Sequence, residues 1–161
     1  MKIGVISDTH LKRGNDLLEK VIKRYFKETD LILHAGDLVS LEVLDAFKDK
    51  KVVAVVGNMD SQEVRNQLPE KEVVEAAGFK IGLIHGWGSP NGLEKKVAAS
   101  FQNVDCVVFG HSHRGFNKIM DNILLFNPGA FASSFFSPRD SSIGLLNLGE
   151  KIEGEIIKIS G

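Results

Sequence analysis

At 161 residues, 43% hydrophobic and 25% charged, the chain has the size and composition of one globular domain, residues 1–161. Twenty Lys and Arg against 21 Asp and Glu leave a formal net charge of −1, which speaks against a dedicated nucleic-acid binder, since such a protein needs a basic excess. A single cysteine, Cys106, excludes a disulfide framework and a Cys-rich structural zinc site. No apolar run approaches the roughly 18 residues of a membrane span. The opening run Met1 to Ser7 is too short for a secretory leader, so a cytoplasmic protein is expected.

In chain order, Lys2 to Ile6 is a short β-branched run and predicts a buried strand. Asn15 then caps a helix that carries Leu17, Leu18, Val21, Ile22 and Phe26 on one face. Leu31 to Leu33 predicts a second strand, Leu41 to Phe47 a short helix, and Val52 to Val56 a third strand. That alternation is the βαβ pattern of a parallel sheet. Glu72 to Ala76 and Lys80 to Ile84 predict a hairpin across Ala77-Gly78-Phe79. A helix over about 91–101 and a buried strand, Cys106 to Phe109, follow. Two further hairpins close the pattern, Phe116 to Met120 with Ile123 to Phe126, and Ile143 to Leu148 with Ile152 to Ile159. Parallel units followed by hairpins imply an α/β sandwich of two mixed sheets with helices outside. The stretch from Gly129 to Ser142 has no predicted element, and loops of that length are commonly functional or mobile.

The chemistry gathers where these strands end. Asp8 and His10 follow the first strand, His34 and Asp37 the second, and Asn58 and Asp60 the third. His85 closes the Lys80–Ile84 run, and His111 and His113 follow Phe109-Gly110. Ligands of α/β sheets bind at the carboxyl ends of the strands, so all five histidines fall in one predicted region. A lone strand-end Asp is more often a helix cap, and a lone His more often a hydrogen-bonding residue than a ligand. Several such residues aimed at one place from separate strands overturn that reading. Imidazole and carboxylate suit zinc, manganese, iron or nickel, and magnesium stays open. Seven candidates, Asp8, His10, Asp37, Asn58, His85, His111 and His113, are too many for one ion. Two ions sharing a bridging carboxylate would use them all, the arrangement that serves in-line displacement at phosphorus.

The motifs Asp8-Thr9-His10, Gly36-Asp37, Gly57-Asn58-Met59-Asp60, His85-Gly86 and Gly110-His111-Ser112-His113 occur in an order that resembles the calcineurin-like metallophosphoesterase superfamily. The likeness is to its small single-domain phosphodiesterase branch, whose later loop is echoed by Asn127-Pro128-Gly129 and Pro138-Arg139. The resemblance implies a four-layer αββα sandwich and a dinuclear centre. Asp8, His10 and His113 would hold one divalent ion and Asn58, His85 and His111 the other, with Asp37 bridging. Asp37, Asn58 and His111 would take part in catalysis. The implied reaction is hydrolysis of a small phosphodiester by a hydroxide bridging the ions. The ions bring +4, Asp8 and Asp37 remove two and the hydroxide one, leaving a centre complementary to a singly charged diester. Many relatives carry His after the Gly-Asn pair, placed to protonate the leaving oxygen, where this chain has Met59.

The remaining polar and aromatic residues carry plainer expectations. His34 is expected to support the site rather than bind metal, Cys106 to sit in the core, and Glu94-Lys95-Lys96 to face solvent. Trp87, just after His85-Gly86, is expected to pack, and a place lining the pocket stays open to it. Phe131, Phe135 and Phe136 belong either to the core or to a dimer contact, so a homo-oligomer stays open. Arg139 reaches either a substrate phosphate or a loop partner. The rival function is a non-catalytic scaffold, the use made of this fold in the eukaryotic retromer coat. There the ligands are degraded, whereas here every ligand position is filled.

Overall fold

In the computed structural model, which describes residues 1–132 and 141–159, strand alternation builds two sheets. The first contains β1 (Lys2–Ile6), β2 (Leu31–His34), β3 (Val52–Ala54), β9 (Ser142–Leu148) and β10 (Ile152–Lys158), in the order β10-β9-β1-β2-β3. The second contains β4 (Lys71–Ala76), β5 (Phe79–Ile84), β6 (Cys106–Val108), β7 (Phe116–Met120) and β8 (Ile123–Asn127), in the order β4-β5-β6-β8-β7. Each sheet is mixed. β1, β2 and β3 run parallel, as do β5, β6 and β8, and antiparallel strands complete both sheets.

Side-chain parity sorts the strands into layers, because successive residues of a strand face opposite sides. Ile3, Val5, Leu31 and Leu33 point between the sheets, where they meet Ile81, Leu83, Cys106 and Val108. Ile6 and Ile32 point the other way, against Leu18, Val21 and Phe26 of the first helical segment and Val43 and Phe47 of the second. On the far face of the second sheet, Val107 and Leu125 meet Leu93 and Val97. Helix, sheet, sheet and helix therefore stack as the expected four-layer αββα sandwich.

The helices are α1 (Asp16–Tyr25), a 3₁₀ helix over Leu41–Phe47, α2 (Gln62–Gln67) and α3 (Leu93–Ala98). Asn15 caps α1 by accepting from Leu18 N at 2.9 Å, as its position before the apolar face predicts. α3 is shorter than expected, since Gly92 precedes it in the left-handed region and offers no side-chain cap. β3 stops at Ala54, after which Val56 N donates to Pro69 O instead of to a strand partner. The first hairpin turn is Ala77-Gly78 alone, both at positive φ, so Phe79 pairs with Ala76. Helix α2 has no counterpart in the sequence reading. It spans six residues and buries only Val64, too little for apolar periodicity to register. Phe131 is core, packed in the cluster with Ile6 and Phe26, and Cys106 is fully buried. Phe135, Phe136, Pro138 and Arg139 lie outside the described residues. Among the described residues no helix is long and apolar enough to cross a membrane.

Candidate metal centre

Parallel β1, β2, β5 and β6 end on one side of the sandwich, and the loops leaving them converge there. The turns are sharp. Asp8, His10, Asp37, His111 and His113 all adopt positive φ, between 47° and 67°, a region that non-glycine residues seldom occupy and that costs of order 1–3 kcal/mol each. Five of the seven expected site residues thus carry backbone strain, which neighbouring hydrogen bonds hold in place. Asp8 N donates to Gly36 O and His10 N to Asp37 O, both at 3.0 Å. Gly57 is confined by close approach, since a Cβ there would collide with the Asp37 carboxylate and backbone.

Each of the two central carboxylates commits one oxygen to the protein and leaves the other to the cluster. Asp8 Oδ2 accepts from Ser7 Oγ at 2.5 Å and from His111 N at 3.3 Å. Among the described residues Asp8 Oδ1 has no hydrogen-bond partner although it is buried, and buried His10 Nε2 has none either. Asp37 Oδ1 accepts from Met59 N at 2.7 Å. Its Oδ2 stands 3.7 Å from His10 Nε2 and 3.4 Å from His85 Nε2, so one oxygen adjoins both halves of the cluster.

The first half comprises Asp8 Oδ1, His113 Nε2 at 3.1 Å and His10 Nε2 at 3.9 Å. Ligand atoms about 2.0–2.2 Å from a shared cation stand about 3–3.5 Å apart, so this spacing fits one ion, and Asp8, His10 and His113 present their atoms within 4.8 Å of one another. The second half comprises Asn58 Oδ1, His85 Nε2 at 3.0 Å and His111 Nδ1 at 2.9 Å. Here the tautomers decide the matter. His85 Nδ1 lies 2.7 Å from Ala35 O, and His111 Nε2 lies 2.8 Å from Gly88 O. A carbonyl only accepts, so those nitrogens carry the protons of the neutral rings. The remaining nitrogens then aim lone pairs at the Asn58 amide oxygen, acceptor against acceptor. A proton or a cation between them resolves the conflict, as does turning the Asn58 amide so that its NH₂ donates to both rings. Backbone carbonyls that fix the outer nitrogens are the usual support of histidine ligands. The residues therefore fit divalent metal. The rings pair accordingly, His10 with His113 at 5.5 Å and His85 with His111 at 5.3 Å between centroids.

Proton affinities follow the same contacts. Burial by itself raises the Asp37 carboxyl, but contact with His85 and the Met59 N–H outweigh it and hold the group below its ordinary value. Burial pushes the His85 imidazole down, and Asp37 carries it above its usual value. The Asp8 carboxylate raises His113. His34 lies outside both halves. It is fully buried, its Nε2 meets Thr9 Oγ1 at 3.2 Å, and burial lowers its pKa to about 3, so it is neutral. Asp8, Asp37 and His85 form a buried floor, and Asn58 and His113 are exposed at the rim.

Three supporting residues escape a reading by sequence. Asp60, noted only for its place after a strand, accepts from Gly57 N at 2.6 Å, Asp37 N at 3.1 Å and Val39 N at 2.6 Å. Arg65 of α2 donates to the carbonyls of Asp60, Gly57 and Asn58 at 3.1, 3.0 and 2.8 Å. Asn127 Nδ2 donates to Gly110 O at 2.8 Å and lies 3.1 Å from Ser112 Oγ, bracing the turn that carries both rim histidines. The position of Asp60 two residues past Asn58 and the Asn127-Pro128-Gly129 motif were usable signals; Arg65 had none. Contrary to the packed place expected for it, Trp87 is 50% exposed and takes the pocket-lining place instead.

The chain resembles known proteins in both sequence and fold. The model of the calcineurin-like phosphoesterase superfamily domain matches residues 1–151. A probable metallophosphoesterase of Methanothermobacter thermautotrophicus is 36% identical, over 98% of this chain and 92% of its own. Among solved structures, a novel archaeal phosphodiesterase superposes with a TM-score of 0.73 at 26% identity, covering 98% of this chain and 100% of that one. Vps29 of Entamoeba histolytica complexed with Zn²⁺ gives 0.72 at 24% identity, covering 98% and 99%, a likeness of fold alone.

Proposed function

This chain belongs to the calcineurin-like phosphoesterase superfamily, and from that membership we propose that it is a phosphodiesterase working with two divalent metal ions. Asp8, His10 and His113 would hold one ion and Asn58, His85 and His111 the other, with Asp37 serving both. The observation that carries this reading is the convergence of Asp8, His10 and His113 on one side of Asp37 Oδ2 and of Asn58, His85 and His111 on the other. Such ions supply Lewis acidity toward phosphoryl oxygens and acidify water.

The protein's own part is positioning and charge. The Asp8 and Asp37 carboxylates would offset half the charge of two dications, leaving a positive centre that attracts a singly charged diester. His111 stands at the half-open rim with both ring nitrogens committed, Nε2–H to Gly88 O and Nδ1 toward the second ion, so its part in catalysis would be to hold that ion where charge builds on a phosphoryl oxygen. Asn58 is carried on a loop clamped by Arg65 and Asp60, so its amide meets the substrate without reorganising. Met59, 60% exposed beside Asn58, has no proton to give a leaving oxygen. Substrates with good leaving groups are therefore preferred. The likeness to the archaeal phosphodiesterase supports the choice of diester over monoester.

A hydrolysis assay across aryl and alkyl diesters and monoesters, with manganese, nickel, zinc, iron and magnesium in turn and metal content measured alongside, tests the proposal. Diester turnover with about two ions per chain is the expected result. A metal-loaded protein that hydrolyses none of them would instead favour a scaffold, the alternative that the fold likeness to Vps29 keeps in view.

A further inference from the structure

Beside the metal centre lies a pocket of about 330 Å³, within the usual size range of small-molecule sites. Asn58 and His85 form the wall it shares with the centre, and Trp87, Glu70, Arg65 and Lys71 line the rest. Trp87 sits between Gly86 and Gly88, which take φ of 102° and 75°. The chain therefore swings outward immediately after β5. Trp87 belongs to none of the four apolar clusters of the described residues and remains half exposed. A large indole left uncovered at a pocket wall is a surface available for stacking.

The pocket's polar groups say what kind of ligand part belongs there. Both cations are already engaged. Arg65 Nε and Nη2 hold three backbone carbonyls, while Lys71 Nζ donates to Ser100 O at 3.0 Å and lies over the Phe101 ring. The remaining charged group, the Glu70 carboxylate, offsets one of the two positive charges that Arg65 and Lys71 keep while bonded to neutral carbonyls. With donors of both cations already spent on the protein, the uncovered indole is the feature that suits the pocket to a flat ring next to the phosphate.

We infer that this pocket binds the planar aromatic part of the substrate, stacked on Trp87, while the phosphate occupies the adjoining metal centre. The inference rests on the phosphodiesterase reading for what that phosphate is, and it narrows the substrate class to phosphoesters with an aryl or nucleobase group. Glu70 separates those two sources, because a carboxylate accepts hydrogen bonds from the N–H groups of a base and gains nothing from a bare phenyl ring.

Trp87 is the chain's sole tryptophan, so its emission reports on the pocket directly. The experiment titrates the metal-loaded protein with phenyl phosphate, methyl phosphate and adenosine monophosphate, following emission and, by calorimetry, affinity. Saturable quenching by the aromatic ligands and not by methyl phosphate is expected. Trp87→Ala should reduce the phenyl-to-methyl affinity ratio about 5- to 150-fold, the range for loss of one stacked ring, and Trp87→Phe should restore most of it. Tighter binding of adenosine monophosphate than of phenyl phosphate, weakened by Glu70→Gln, identifies the ring as a nucleobase. The reverse order identifies a simple aryl group. Equal affinity for phenyl and methyl phosphate, or a ratio untouched by Trp87→Ala, overturns the inference even if diesters are hydrolysed. Discrimination by Trp87 in a protein that hydrolyses no diester leaves the pocket standing and removes the hydrolytic reading instead.

Discussion

Asp60 offers the sharpest test of how the site loops are held. Its buried carboxylate is a triple acceptor, with Oδ2 serving Gly57 N and Asp37 N and Oδ1 serving Val39 N. Two of those residues, Asp37 and Val39, sit at positive φ, and for β-branched Val39 at 78° the conformation is especially costly. Asp60→Asn keeps the shape and exchanges one oxygen for NH₂. The side chain retains two bonds by keeping its oxygen in the Oδ2 position, but then NH₂ faces the Val39 N–H, donor against donor. Loss of one hydrogen bond to a charged acceptor amounts to about 1.5–3 kcal/mol. With a urea m-value of about 2 kcal/mol per molar, the midpoint of unfolding should fall by about 1 M. Asp60→Ala removes all three bonds, and an upper bound of about 4.5–9 kcal/mol rivals the entire stability of a typical domain. The asparagine variant is therefore the informative one. Urea unfolding of the metal-free protein, followed by circular dichroism, measures the shift, and metal content after reconstitution should fall with it because Asp37 N and Gly57 N lose their shared anchor. An Asp60→Asn midpoint equal to the parent's, with full metal uptake, would refute the reasoning.

Asp37→Ala should abolish uptake of both ions and lower kcat/KM for an aryl diester by at least about 10³-fold, as expected for removing a central electrostatic group; elemental analysis and kinetics in metal-replete buffer check it. His85 and His113, raised by Asp37 and Asp8 above the ordinary 6.5, stabilise the metal-free fold fully below about pH 6.5 and cease to as pH climbs through their raised values. Asp37, held low, contributes above its ordinary 3.8 and loses that contribution as pH falls through its lowered value. Metal must displace the imidazole protons, so binding should release protons near neutrality and tighten with pH; identical calorimetric heats at pH 7 in buffers of different ionisation enthalpy would contradict this. Met59→His should help alkyl diesters more than aryl ones, by up to the 10²–10⁴-fold typical of general acid catalysis, and flatten the dependence of kcat/KM on leaving-group pKa. Parallel slopes for the two proteins would mean that position 59 does not face the leaving oxygen.

The sequence by itself determined which residues could do chemistry and roughly where. A short apolar run is a local property, so Lys2 to Ile6 and Leu31 to Leu33 could be read as buried strands without knowing their partners, and polar residues that terminate such runs mark the strand ends. That is why all seven candidate ligands were legible, and why β1, α1 and the late hairpins fall where the pattern puts them. What only the tertiary structure decided is how those residues are held. Asp8 Oδ2 is bound by an N–H 103 residues away, and the tautomer of His85 depends on a carbonyl 50 residues earlier. Arg65 lies on a six-residue helix with one buried side chain, too short to leave a periodic signature, yet it clamps the Asn58 loop. Trp87 reads like any core aromatic, because whether a ring packs depends on whether the fold supplies a hole for it. Periodicity encodes which face of an element is apolar; the carbonyl, carboxylate or cavity that a side chain meets is set by segments distant in the chain, and no local pattern carries that information.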